Sequence, residues 1–109
     1  MAITQSQSIT PASMESIAVG RYLTSSTAAA ITITVGFKPR YVRVVNVTSG
    51  DLYEWFEGMA DASACKQVAA GTRTLITTLG VTVADKSFVI GLDLDVNVIN
   101  EQLSWIAMA

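Results

Sequence analysis

The sequence predicts an all-β domain, a compact antiparallel β-sandwich or small barrel with an extended N-terminal arm. Three observations point there. Every long hydrophobic signal has period two, the spacing that puts alternate side chains on one face of a strand. Turn residues interrupt these signals every 8 to 12 positions, as in sandwiches and small barrels. The chain has 109 residues, the size of one domain of about 100–150 residues. We therefore divide it into an arm over residues 1–13 and a single β domain over residues 14–109.

The arm is rich in Ser, Thr and Gln with a single Pro11, a composition that buries little and builds no core. Its apolar side chains, Ile3 and Ile9, are candidates for contact with a neighbour. Ile17-Ala18-Val19-Gly20-Arg21-Tyr22-Leu23 follows, with Ile17, Val19 and Leu23 on one face and Arg21 breaking the stripe. It reads as a strand. A helix from Pro11 to Val19 is the alternative, with Thr10 as N-cap and Gly20 as stop. From residue 28 the β signal strengthens: Ala29, Ile31, Ile33 and Val35 alternate with Ala30, Thr32 and Thr34. Pro39 cannot donate to a ladder, so residues 37–40 form a connection. Residues 41–47 form the next strand, Thr48-Ser49-Gly50-Asp51 a turn, and residues 52–57 the antiparallel return.

Gly58 to Gly71 reads as a long loop or a single helical turn, because residues 59–66 are mostly small and have some helix preference. Strand signal resumes over residues 72–78, is punctuated by Gly80, and continues through residues 81–83. Ser87-Phe88-Val89-Ile90 is a further strand, and Leu103 to Ala107 closes the chain's pattern. Between them, residues 92–98 alternate apolar with acidic or amide side chains, which reads as a strand with a solvated outer face or as its fraying end.

Half of the residues are hydrophobic and 15% are charged, against roughly 25% charged in an average soluble protein. The surface must be poor in charge. A net charge of −2 gives no electrostatic footprint for nucleic acid. No window reaches the roughly 18–20 apolar residues of a membrane span, and the start lacks the basic and apolar regions of a signal peptide. Neither nucleic acid nor a membrane is an expected partner.

Histidine is absent and Cys65 is the single cysteine, which removes His-based acid–base catalysis, multi-Cys zinc sites and any intrachain disulfide. A lone thiol fits synthesis in a reducing cytosol. Asp93-x-Asp95-x-Asn97 opens like a calcium loop, but Val98 and Ser104 stand where that loop needs Gly and Glu. Of the carboxylates Asp51, Glu54 and Glu57, the last two stand three apart and so point to opposite faces of a strand, the wrong spacing for a catalytic pair; Lys38, Arg40 and Arg43 offer cross-strand partners instead. No catalytic residue, cofactor or metal is expected, and the chain does not read as an enzyme.

Tyr53, Trp55 and Phe56, with Met59 close behind, form the densest aromatic cluster. Tyr53 and Trp55 share one strand face and Phe56 takes the other. Either one of these faces is core and the other an exposed aromatic patch, or both are buried. Aromatic, Met and Arg side chains are enriched at interfaces, so Tyr53, Trp55, Phe56, Met59, Arg40 and Arg43 are candidate contact residues.

The stretch Gly36-Phe37-Lys38-Pro39-Arg40-Tyr41-Val42-Arg43-Val44-Val45-Asn46, then Glu54-Trp55-Phe56-Glu57-Gly58-Met59 and Gly71-Thr72-Arg73-Thr74-Leu75-Ile76-Thr77-Thr78, resembles a group of small virion proteins of tailed bacteriophages. The ending, Phe88-Val89-Ile90-Gly91, Val96-Asn97 and Leu103-Ser104-Trp105-Ile106-Ala107, is similar to the close of that pattern. The resemblance covers roughly residues 30 to 107 and carries no chemistry. It implies a β-rich subunit of the particle, foremost a capsid decoration or cement protein, made in the host cytoplasm and sited on the outer capsid surface. The partners it implies are the major capsid protein and copies of itself, as a homotrimer. A tail, head–tail joining or fibre-anchoring subunit is the alternative, and a glycan- or receptor-binding module using Trp55 or Trp105 is a further one.

Overall fold

Among the described residues, eight strands join into a single antiparallel sheet: β1 (Ile17–Leu23), β2 (Ile31–Thr34), β3 (Tyr41–Asn46), β4 (Leu52–Phe56), β5 (Ser63–Gln67), β6 (Arg73–Val83), β7 (Ser87–Ile90) and β8 (Gln102–Met108). Their order is β1-β8-β3-β4-β5-β6-β7-β2, and the sheet curls into a half-barrel. The computed structural model describes residues 16–24, 29–93 and 95–109; the arm, with Ile3 and Ile9, lies outside the described residues.

Period two does the sorting. Inner-face side chains Val42, Val44, Tyr53, Trp55, Leu103 and Ala107 come from β3, β4 and β8, and Ile31, Ile33, Val81, Phe88 and Ile90 from the strands of the other half. The curl brings the halves together, so that the Phe88 and Trp105 rings meet edge to face with centroids 5.5 Å apart. Each large side chain so buried stabilises the fold by about 1.5–3 kcal/mol relative to exposure. The ring of Trp105 also lies over Gly20, where any Cβ would come within 2.6 Å of it.

The strand at Ile17–Leu23 forms as the sequence predicts, and its residues from Ile17 on are not helical. Gly58 to Gly71 differs from expectation, since its middle, Ser63–Gln67, is β5, paired with β4 on one side and β6 on the other. Ser, Ala, Cys, Lys and Gln have little strand preference of their own; two flanking ladders impose the conformation.

The signal broken at Gly80 is one strand with a large bulge. Ser63 pairs with Val81 and Ala64 with Ile76, so Thr77, Thr78, Leu79 and Gly80 loop out of the β5–β6 ladder. Before the bulge β6 pairs with β5, and after it Val81 pairs with both Ser63 and Ile90 while Thr82 and Val83 pair with β7; a bulge of this kind bends its strand and sharpens the local twist. Four bonds pin it: Tyr53 Oη donates to the Leu79 carbonyl at 2.9 Å, Gly80 N–H to Ala62 O at 2.9 Å, Gly91 N–H to Gly80 O at 2.8 Å, and Ala62 N–H to Val81 O at 3.1 Å.

Residues 92–98 are the second departure. The described ones belong to no strand, and the chain turns at residues 95–97. Val96 and Asn97, neighbours that alternation would place on opposite faces, are both buried.

Candidate functional surface

Two places concentrate functional side chains: an ion-pair cluster under the loop after β7, and the outer face of the sheet. The cluster starts from Lys66 on β5, which stands opposite Tyr53 on the inner face. Its Nζ reaches Asp93 Oδ1 at 2.9 Å and Asp95 Oδ2 at 2.5 Å. Asn97, the third member of the calcium-like triplet, turns the other way and donates to Ala29 O at 2.9 Å and Gly91 O at 3.2 Å. The cluster is a tether that holds the loop against β5. The expected solvated strand face is therefore replaced by a partly buried ion pair, because Lys66 sits where both carboxylates converge.

Titration of the cluster has a definite sign. Burial alone would lower Lys66, but its hydrogen bonds to Asp95 and Asp93 outweigh burial and raise its pKa. Burial pushes the Tyr53 phenol up, and the nearby Asp93 and Asp95 carboxylates push it further. Both groups therefore keep their protons in the folded state at pH values where the unfolded chain loses them. Their stabilisation is complete below the unfolded values near pH 10 and is lost as pH rises beyond them. Each tyrosine held neutral costs about 1.4 kcal/mol per pH unit in that range. Urea midpoints measured from pH 7 to 11 are expected to hold level and then fall above about pH 10, less steeply in Tyr53→Phe than in the parent. A profile equally steep in both would contradict this assignment.

The outer face follows from the register. Ile17, Met108, Tyr41 and Phe56 lie opposite one another across β1, β8, β3 and β4. The next row on the same face is Val19, Ile106, Arg43 and Glu54, continuing to Cys65 and Leu75. Ile17, Val19, Leu23, Phe56 and Leu75 are all exposed on this face. The Tyr41 and Phe56 rings pack tilted at 5.1 Å. Beside them Arg40, Tyr41, Phe56, Glu57, Met108 and Ala109 line a shallow groove of about 440 Å³.

Charge on this face lies beside the apolar row and is mostly paired. Arg40 and Glu57 form an exposed pair at 3.1 Å, the cross-strand partnership expected from the sequence. Glu54 stands opposite Arg43 in the register, yet it accepts from Arg73 at 3.0 Å and from Tyr41 Oη at 2.8 Å. Asp51 takes no Lys or Arg; its carboxylate accepts the Ala69 N–H at 2.7 Å and caps that turn.

The sequence-derived contact residues separate into two groups. Tyr53 and Trp55 are core side chains rather than surface ones, because β4 turns them inward; Trp55 Nε1 donates to Ala60 O at 3.4 Å. Phe56, Arg40 and Arg43 face solvent. Met59 is half-buried, with its sulfur accepting the Phe56 N–H at 3.2 Å. Of the two faces of β4, the Tyr53–Trp55 side is core and the Phe56 side is exposed. Val19, Ile106 and Met108 were missed as surface residues, since alternation shows which side chains share a face and not which face is covered.

Comparison with protein-family profiles, with curated proteins and with solved structures finds no match to this chain.

Proposed function

We propose that this chain is a non-enzymatic structural subunit of a bacteriophage particle, one that decorates and stabilises the capsid by bridging major capsid protein subunits. The observation that carries the reading is the outer face, where Ile17, Met108, Tyr41 and Phe56 form one uncharged row across four strands. Interface cores are depleted in charge and enriched in aromatic, Met and Arg side chains, and this face has that composition. The choice of partner class rests on the resemblance of residues 36–46, 54–59 and 71–78 to small phage virion proteins.

The mechanism is differential binding. A subunit that grips only the mature lattice stabilises that lattice by mass action, with no bond made or broken. Charge is dispensable on a face held against a shell, which accounts for a composition poor in ionised groups.

Co-sedimentation with phage heads tests the reading. The full chain is expected to pellet with the heads, and Phe56→Asp and Met108→Asp to weaken retention at least tenfold while the circular dichroism spectrum stays that of the parent. Undiminished retention of both variants, or no retention of the parent, would contradict it.

A further inference from the structure

The sheet ends on β1, and its backbone shows which groups are free. Thr24 N–H donates to Glu101 O at 3.1 Å and Ser16 O accepts from Ala109 N–H at 2.9 Å, both toward β8. In an antiparallel pair, alternate residues turn their N–H and C=O to the same neighbour. Ala18, Gly20 and Tyr22 therefore also face β8, whereas Ile17, Val19, Arg21 and Leu23 present theirs to the open edge. Among the described residues no strand pairs with that edge.

Among the described residues this edge lacks the usual protection. Natural edge strands are kept short, charged, bulged or interrupted by proline so that they do not template pairing with another chain. β1 has seven residues in unbroken register with β8, one charge and no proline. Its edge-facing residues are also its outer-face residues, with Ile17 57% exposed and Val19 and Leu23 each 68% exposed. The opposite edge, β2, has four residues and alternates with threonine.

We propose that β1 pairs with β1 of a second copy, antiparallel about a two-fold axis through Gly20. In that register Ile17 lies opposite the second copy's Leu23, and Val19 opposite the second copy's Arg21. All of these residues turn free backbone groups to the edge, so every pair can exchange its hydrogen bonds. Shifting the pairing by two residues in one direction would set Arg21 against Arg21, and like charges directly opposite are unfavourable. The centred register avoids this, pairs all seven residues, and continues the apolar outer face from one copy into the next.

Length decides occupant and strength together. A β1–β2 contact between copies would leave three residues of β1 unpaired, so self-pairing is the better match. A single strand edge buries less than the roughly 1,200–2,000 Å² of a stable interface. The dimer is therefore weak in solution, with a dissociation constant on the order of micromolar or higher, and is reinforced when both copies sit on one surface. The contact is read from the sheet edge alone; capsid retention through Phe56 and Met108 is a separate result, and either can fail without the other.

Sedimentation velocity of the full chain from about 1 μM to 1 mM, a range that brackets such an affinity, tests the pairing with two opposite charges at one exposed position. The parent is expected to pass from monomer to dimer. Val19→Lys, placed against Arg21 of the second copy, is expected to raise the dissociation constant at least tenfold. Val19→Glu, placed against the same arginine, is expected to hold or lower it. A parent that stays monomeric throughout, a three-fold or larger closed ring, or equal weakening by both charges would overturn the proposal. Thermal melts of the two variants, expected within a few degrees of the parent, exclude a folding defect as the cause.

Discussion

Replacing Asn46 by leucine is expected to destabilise the domain by about 3–4 kcal/mol, among the largest effects of any side-chain change in this chain. Asn46 is fully buried at the end of β3 and uses its whole amide. Its Nδ2 donates to Val96 O at 2.9 Å and to Glu101 Oε1 at 2.8 Å. Its Oδ1 accepts the N–H groups of Thr48 at 2.9 Å and Ser49 at 3.0 Å. One side chain thus closes the β3–β4 turn and anchors the loop that covers the inner face. Leucine has the same branched outline, though it is larger, and would leave two N–H groups, a carbonyl and the Glu101 carboxylate without this partner, at about 1–3 kcal/mol for each that stays dry. Urea denaturation measures the loss; a change below about 1 kcal/mol, smaller than one orphaned buried group, would show that the turn re-forms without the amide.

Gly91→Ala is expected to cost about 3 kcal/mol or more, through backbone rather than side-chain packing. A Cβ at residue 91 would clash with the Leu79 carbonyl, a backbone group rather than the end of a flexible side chain, so the backbone itself must shift. Leu79 already holds a positive φ of 61° and accepts the Tyr53 hydroxyl at 2.9 Å. Moving it breaks that bond and the Gly91–Gly80 bond at 2.8 Å together. At Gly80 a Cβ would come within 2.6 Å of the Ser63 carbonyl, so Gly80→Ala is expected to act on the same bulge. The measurement is thermal unfolding of the Gly91 variant: a melting temperature within about 2 °C of the parent would mean that the bulge tolerates the extra carbon.

These two sites also mark where the sequence is readable and where it is not. Strands β2, β3, β4, β7 and β8 announce themselves because Val, Ile, Tyr, Trp and Phe recur at period two between turn residues, and their inner faces form the core. β5 is silent because Ser63–Gln67 has no strand preference; pairing with β4 and β6 supplies what composition does not. Asp93 to Val98 misleads for the opposite reason. Its alternation is as regular as a strand's, but Lys66 draws in Asp93 and Asp95 and the core takes Val96. The candidate surface was half legible. Phe56, Arg40 and Arg43 are on it, whereas Tyr53 and Trp55 belong to the core, since a strand with large side chains on both faces does not declare which face is covered. The stripe of Ile17, Val19 and Leu23 was visible as a stripe, and only the register with β8 shows that it faces outward.

The most direct test of the proposed role is a reconstruction of a phage particle assembled with this chain. Hundreds of copies are expected on the outside of the head, each with Phe56, Tyr41 and Met108 turned against major capsid protein subunits. A dozen or fewer copies at the tail or the head–tail joint, or copies on the shell with that face open to solvent, would contradict it.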